Sequence, residues 1–187
     1  MRQRVEKLER LRARGVDPYP NHYKLSHTIA QALEWAESSL PAASLEGTPG
    51  TAHEEDGALF TLAGRLVFSR HMGRATFAHV QDGTGRIQLH LRRDVLEDEY
   101  EGYLKDFDLG DIIGVSGPLF RTRTGEITVA VRSITMLSKS LRPPPEKWHG
   151  LADVEIRYRQ RYLDLMSNPE VRHIFATRSK IVSSMRR

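Results

Sequence analysis

Hydrophobic positions at the start of the chain fall three apart, at Val5, Leu8 and Leu11, with Arg2, Arg4, Lys7, Arg10, Arg12 and Arg14 around them. That spacing predicts a helix over 2–14. Gly15 ends it, and Pro18 and Pro20 prevent its resumption. A second short helix is predicted over 28–37 (TIAQALEWAE), capped by Ser26 or Thr28. Residues 38–57 are small, polar and rich in Gly and Pro, the composition of a flexible linker. From 59 to 137 the periodicity changes to strict alternation. Five strands are predicted there: 59–68, 74–82, 85–93, 111–121 and 126–137. The turn DGTG (82–85) joins the second and third as a hairpin, and TGE (124–126) joins the last two. Between the third and fourth lies VLEDEYEGYLKDF (95–107), with a helical apolar face of Val95, Leu96, Tyr100, Tyr103, Leu104 and Phe107.

Three strands, a helix and two strands within about 80 residues is the order of the OB-fold, a five-stranded, partly open Greek-key barrel. An SH3-like barrel has no helix of this length at that place. After the barrel, SLRPPPEKWHG (140–150) reads as an extended connector, stiffened by consecutive prolines. Residues 151–167 read as a helix dense in Arg and Tyr. Residues 170–187 read as an amphipathic one, with Val171, Ile174, Phe175, Ile181 and Met185 on one stripe. Its pattern runs to Arg187 with no stop signal, so the chain is expected to be a piece of something longer.

Alternation also says which side chains share a face. Thr76, Ala78 and Val80, then Ile87, Leu89 and Leu91, then Ile127, Val129 and Val131 must fill the barrel. Phe77, His79, Gln88, His90 and Glu126 then point outward. Phe77 is a bare aromatic on a polar face, beside His79, Gln88 and His90. Unpaired bases stack on such rings, and amide, carboxylate and guanidinium groups read the edges that unpairing exposes. Arg70 and Arg74 are expected in the loop 69–74 (SRHMGR), and Arg121 and Arg123 in the loop 121–126 (RTRTGE). These loops flank the usual ligand face of an OB-fold. The other reading of Phe77 is that it packs beneath the chain's own N-terminal segments.

Charge sharpens this picture only when it is divided. The net charge is +4, yet residues 1–24 carry seven basic and three acidic side chains, and residues 59–93 carry six and one. Residues 94–120 carry one basic and eight acidic, most simply a solvated face that repels RNA from the wrong side. A basic surface suits a polyanion partner. The run RYRQRY (157–162) is open to two readings, phosphate contact or interhelical ion pairs. With no Cys, the chain has no disulfide, zinc–thiolate site or cysteine nucleophile. No apolar run approaches the ~20 residues of a membrane span, and the first fifteen residues have no apolar core of a secretory signal. P-loop, GxSxG and HExxH patterns are absent, so neither a catalytic residue nor a metal ligand is assigned.

Three stretches carry a family likeness: MGRATFAHVQDGTGRIQLHLRRD (72–94), FDLGDIIGVSGPLFRTRTGE (107–126) and SLRPPPEKWHGLADVEIRYRQRYLDLMSN (140–168). Together they closely resemble the N-terminal part of bacterial class II lysyl-tRNA synthetases, the last stretch most specifically. The resemblance implies that the barrel binds the anticodon loop of tRNA(Lys), with Phe77 stacking on a base, Arg70 and Gln88 hydrogen-bonding to bases, and Glu126 assisting. His79, His90, Arg74, Arg121 and Arg123 would support that face. It implies a parent enzyme, cytoplasmic and homodimeric, that activates lysine with ATP and magnesium and loads it onto tRNA. This chain reaches only the helix opening the first class II motif. Recognition without catalysis is therefore expected of it, with no cofactor of its own and no membrane contact.

The organisation expected is an N-terminal helical extension (1–37), a linker (38–57), the OB domain (58–139), the connector (140–150) and helices opening an incomplete catalytic domain (151–187). Two other functions stay open on these residues. One is a single-strand-binding module indifferent to sequence, and the other is a protein–protein module using helices 151–187.

Overall fold

A computed structural model describes residues 1–40, 58–144, 151 and 153–186. Most of the expected linker (41–57) and of the Pro-rich connector (145–150) lies outside the described residues. The chain divides into two compact units, Met1–Arg142 and Pro143–Arg187.

The first unit is a mainly β barrel with helices at its ends. Its elements are α1 (Arg2–Ala13), α2 (Ile29–Ser39), β1 (Leu59–Met72), β2 (Ala75–Gln81), β3 (Arg86–Arg92), α3 (Arg93–Leu96), α4 (Asp98–Asp106), β4 (Ile112–Arg121), β5 (Ile127–Val131) and β6 (Ser133–Ser138). The strands run in the order β1-β2-β3-β5-β4, and β4 returns to pair with β1, so five strands close into a ring. Among the described residues, only the β3–β5 pairing is parallel. This is the OB-fold barrel expected from element order. Leu62, Val80, Leu89, Ile113, Val115 and Val129 are fully buried inside it.

Three elements of this unit depart from the sequence expectation. The fifth strand divides at Arg132 into β5 and β6. The reason lies in β4, whose first half pairs with β6 and whose last residues pair with β5, which leaves to meet β3. At that divergence the strands come so close that a Cβ on Gly117 would lie 1.9 Å from the Ala130 carbonyl oxygen, so only glycine fits. The helix 95–107 breaks at Glu97, which has φ 45°. Beyond the break, Tyr100 and Tyr103 plug one end of the barrel. The Tyr100 hydroxyl lies 2.9 Å from Thr76 Oγ1 and 3.1 Å from His71 Nδ1, and Tyr103 meets Ser69 at 2.8 Å. Burial pushes the Tyr103 phenol up to about 12. Third, β1 runs to Met72, beyond the expected end at residue 68, with a bulge between Leu66 and Phe68.

The other barrel end is closed by α2, whose Ile29, Ala32 and Ala36 are fully buried. Of the two expected caps, Thr28 serves: it forms a capping box with Gln31. Asp82 ties this helix to the β2–β3 hairpin. One carboxylate oxygen accepts from Thr84 N at 2.6 Å and Gly85 N at 2.8 Å, and the other from Ile29 N at 3.0 Å. Burial opposes ionisation of Asp82, but these hydrogen bonds prevail and hold its carboxyl below the usual range. A carboxylate depressed on folding contributes stability above its unfolded value and loses it as pH falls through the folded one. Asp82→Asn is therefore expected to flatten the loss of stability below about pH 4, measured by urea unfolding across a pH series. An unchanged acid limb would reject this role.

The acidic stretch 94–120 is not a merely solvated face. Helix α1 docks its basic side chains there: Lys7 Nζ lies 2.7 Å from Asp108, Arg10 lies 2.9 Å from buried Asp106, and Arg14 bonds the same carboxylate. Asp108 and fully buried Asp111 flank the fully buried ammonium of Lys139, at 2.6 and 2.7 Å. Burial works against the Asp108 charge, yet hydrogen bonds from Lys139 and Lys7 hold its carboxyl below the usual range. The N-terminal positive charge is thus partly consumed within the fold.

The second unit holds α5 (Val154–Arg159), α6 (Arg161–Ser167) and α7 (Pro169–Met185). The helix expected over 151–167 breaks at Gln160, which lies at φ −119° and ψ 60°. The RYRQRY run makes ion pairs: Arg157 reaches Asp164 at 2.8 Å, Arg161 bonds the same carboxylate, and Arg159 pairs with Glu155 at 3.1 Å. Asn168 also donates to Asp164, at 2.6 Å. Among the described residues, no helix is long and apolar enough to cross a membrane.

Candidate nucleic-acid interface

Cross-strand register assembles one outward face from β1, β2, β3, β5 and β4. Arg70 stands opposite Phe77, Phe77 opposite His90, and His79 opposite Gln88. Gln88 stands beside Thr128 on the parallel strand β5, and Phe120 of β4 lies opposite Thr128. Side chains on directly opposed outward positions lie about 4.5–5.5 Å apart at Cβ, close enough to act together. Four residues expected to touch bases, Phe77, Arg70, Gln88 and Glu126, therefore share one surface.

Phe77 is partly buried rather than bare. Its ring stacks on His90 with centroids 4.8 Å apart and planes 13° from parallel. Phe120 approaches the same imidazole at 6.0 Å, tilted by 56°. Between these rings His90 is buried to 6% exposure although it points away from the barrel. It is the underside of an aromatic platform, not an exposed polar group. Phe68 meets the ring of His79 edge-on at 5.4 Å. The face thus has three phenylalanines, Phe68, Phe77 and Phe120.

The polar half of the face is a hydrogen-bonded set. Glu126 receives His79 Nε2 at 3.0 Å on one oxygen and Gln88 Nε2 at 2.9 Å on the other. Thr128 donates its hydroxyl to Gln88 Oε1 at 2.8 Å. Glu126 itself is exposed at the end of the β4–β5 turn, where its backbone N–H donates to Thr122 Oγ1 at 3.0 Å.

The arginines separate. Arg70, expected in a loop, lies on β1 beside Phe77 and is exposed. The bulge at Val67 moves Phe68 and Arg70 onto the outward side; unbroken alternation from Leu62 and Leu66 would turn both inward. Arg74 is exposed in the β1–β2 turn after Gly73, which has φ 67°. Arg123 is exposed in the β4–β5 turn. Arg121 belongs to the fold: its guanidinium bonds Glu37 of α2 at 3.0 Å and the Gly125 carbonyl at 3.2 Å.

Phe120 was legible, since the parity of Ile113, Val115 and Leu119 turns it outward. Phe68 was not, because nothing in its neighbourhood announces a bulge.

Comparison with known proteins agrees with the fold. Residues 60–137 match the tRNA anticodon family of OB-fold nucleic acid binding domains. A lysine–tRNA ligase of Pelotomaculum thermopropionicum is 50% identical over 187 residues, which is 100% of this chain and 34% of that protein. One from Dehalococcoides mccartyi is 48% identical over 184 residues, 98% of this chain and 35% of its own. One from Aquifex aeolicus is 58% identical over 128 residues, 68% of this chain and 21% of its own. The chain spans about a third of the length of the first two relatives. By fold and by sequence, then, residues 60–137 form an OB-fold nucleic acid binding domain of the tRNA anticodon kind, and the chain along its length is similar to about a third of these lysine–tRNA ligases.

Proposed function

We propose that the face around Phe77 binds the anticodon bases of tRNA(Lys). The observation that carries this is the register of Arg70, Phe77 and Gln88 on adjacent strands, with Glu126 hydrogen-bonded to the last. A base lying on the Phe77–His90 stack has its edge within the span of an amide, a carboxylate and a guanidinium. Those groups supply the hydrogen bonds that single-stranded recognition uses. Arg74 and Arg123, in turns at the border of the face, supply charge toward phosphates. His79 acts through Glu126, and Arg121 through the docking of α2.

The longer enzyme implied by the resemblance would join lysine to tRNA in the cytoplasm, using ATP and magnesium. Of that enzyme's work, the barrel would supply anticodon recognition. Within this chain, 1–37 serve as an extension, 58–139 as the anticodon domain and 151–187 as the entry to the catalytic domain, with 38–57 and 140–150 as connections. A second function is supported by α7, where Ile174, Ile181 and Met185 are 64%, 55% and 81% exposed. That stripe fits a contact with the catalytic domain or a second subunit.

The test is a fluorescence titration of the chain with an RNA stem-loop carrying the UUU anticodon, against the same stem with a non-lysine anticodon and a cytidine oligomer of equal length. The UUU loop is expected to bind tightest. Equal affinity for all three would replace this reading with sequence-tolerant single-strand binding.

A further inference from the structure

Four side chains on the polar half of the face form one hydrogen-bonded chain: His79, Glu126, Gln88 and Thr128. An ionised carboxylate only accepts hydrogen bonds. Glu126, which takes Gln88 at 2.9 Å, therefore requires the NH2 side of that amide. The Gln88 carbonyl must then point the other way, where the Thr128 hydroxyl meets it at 2.8 Å. Thr128 is fully buried, so water does not compete for its proton. Its other acceptor, the Glu126 backbone carbonyl, is farther, at 3.2 Å. Turning the amide over would set its carbonyl against a carboxylate. His79 steadies the same carboxylate from the opposite side at 3.0 Å, which places the imidazole proton on Nε2.

We infer that Thr128 is a positioning residue that locks the donor–acceptor polarity of the Gln88 amide, and that this lock makes the face discriminate uracil from cytosine. The inference rests on the anticodon reading above. After its two internal bonds, the amide keeps one N–H and one carbonyl lone pair for a ligand. Uracil presents a ring N–H donor beside a carbonyl acceptor. Cytosine presents a ring acceptor beside an amino donor, the reverse order. An amide free to rotate by half a turn serves both bases equally. A locked one serves a single order, and the centre of every lysine anticodon is uridine. Nothing in the spacing of the strands marks Thr128, because a threonine at an outward strand position is ordinary.

The test uses Thr128→Val, Thr128→Ala and Thr128→Ser in the 187-residue chain. Dissociation constants are measured for the UUU stem-loop and for the same loop with its central U changed to C. The wild type is expected to favour UUU. Thr128→Val and Thr128→Ala should lower that preference by about fivefold or more, the low end of what one bidentate contact discriminates, with melting temperatures close to the wild type. Thr128→Ser, which keeps the hydroxyl, should restore it. In NMR spectra of the free protein, the two Gln88 side-chain amide protons should be separate and exchange slowly in the wild type, and should broaden together in the alanine variant. Wild-type discrimination that survives in Thr128→Ala would overturn the lock and leave the anticodon reading standing. A wild type that does not tell the loops apart would overturn both.

Discussion

Replacing Lys139 with Met is expected to destabilise the barrel unit by about 3–5 kcal/mol, the cost of removing one partner from a buried ion pair. The ammonium is fully buried between Asp108 and Asp111, so no water replaces it. Without it, Asp111 retains hydrogen bonds from Asp108 N at 2.7 Å and Ser140 N at 2.8 Å but no neutralising charge. Lys7 remains paired with Asp108 at the rim, 2.7 Å away. Methionine matches the lysine stem in length, so packing changes little and the loss reports the charge. Guanidinium unfolding of the variant measures it. Adding Asp111→Asn, which removes the stranded charge but keeps an acceptor, should recover part of the loss. A single-variant loss under about 1 kcal/mol would mean the cluster behaves like an exposed surface pair.

The second large effect concerns function. Phe77→Ala is expected to weaken binding of the UUU stem-loop by about 1–3 kcal/mol, the usual worth of one base stacked on an aromatic ring. The ring does two things, since it also covers His90 at 4.8 Å. Truncation therefore removes the stacking surface and bares a buried imidazole. Phe77→Leu separates these effects: it keeps most of the cover and loses the flat π surface. Leucine should hold the melting temperature near the wild type while affinity falls nearly as far as in the alanine variant. Phe77→Trp should retain binding. If leucine binds RNA as well as phenylalanine does, the ring serves packing and the base lies elsewhere.

Both expectations depend on features that a one-dimensional pattern describes unequally. The inward sets around Val80, Leu89 and Val129 follow from alternation alone, and all three are fully buried. The outward placement of Phe77, Gln88 and His79 follows from the same parity, and so does the three-strand, helix, two-strand order of the barrel. What alternation does not carry is what happens across strands. His90 is polar and outward, hence legible as exposed, yet rings from β2 and β4 enclose it. The acidic stretch 94–120 is legible as a charge run, yet Asp106 and Asp108 are the docking site of α1.

By itself, then, the sequence determined the kind and order of the main elements, the filling of the barrel and the side of the sheet that carries Phe77. Local backbone preference and the two-residue repeat of a strand are properties of neighbours along the chain. Tertiary structure alone decided the bulge that brings Phe68 and Arg70 outward, the burial of His90, the pairing of Arg121 with Glu37 and the enclosure of Lys139. Each of these joins residues far apart in the chain. Register, ion pairing and burial depend on which strand or helix arrives opposite, and closure of the ring settles that.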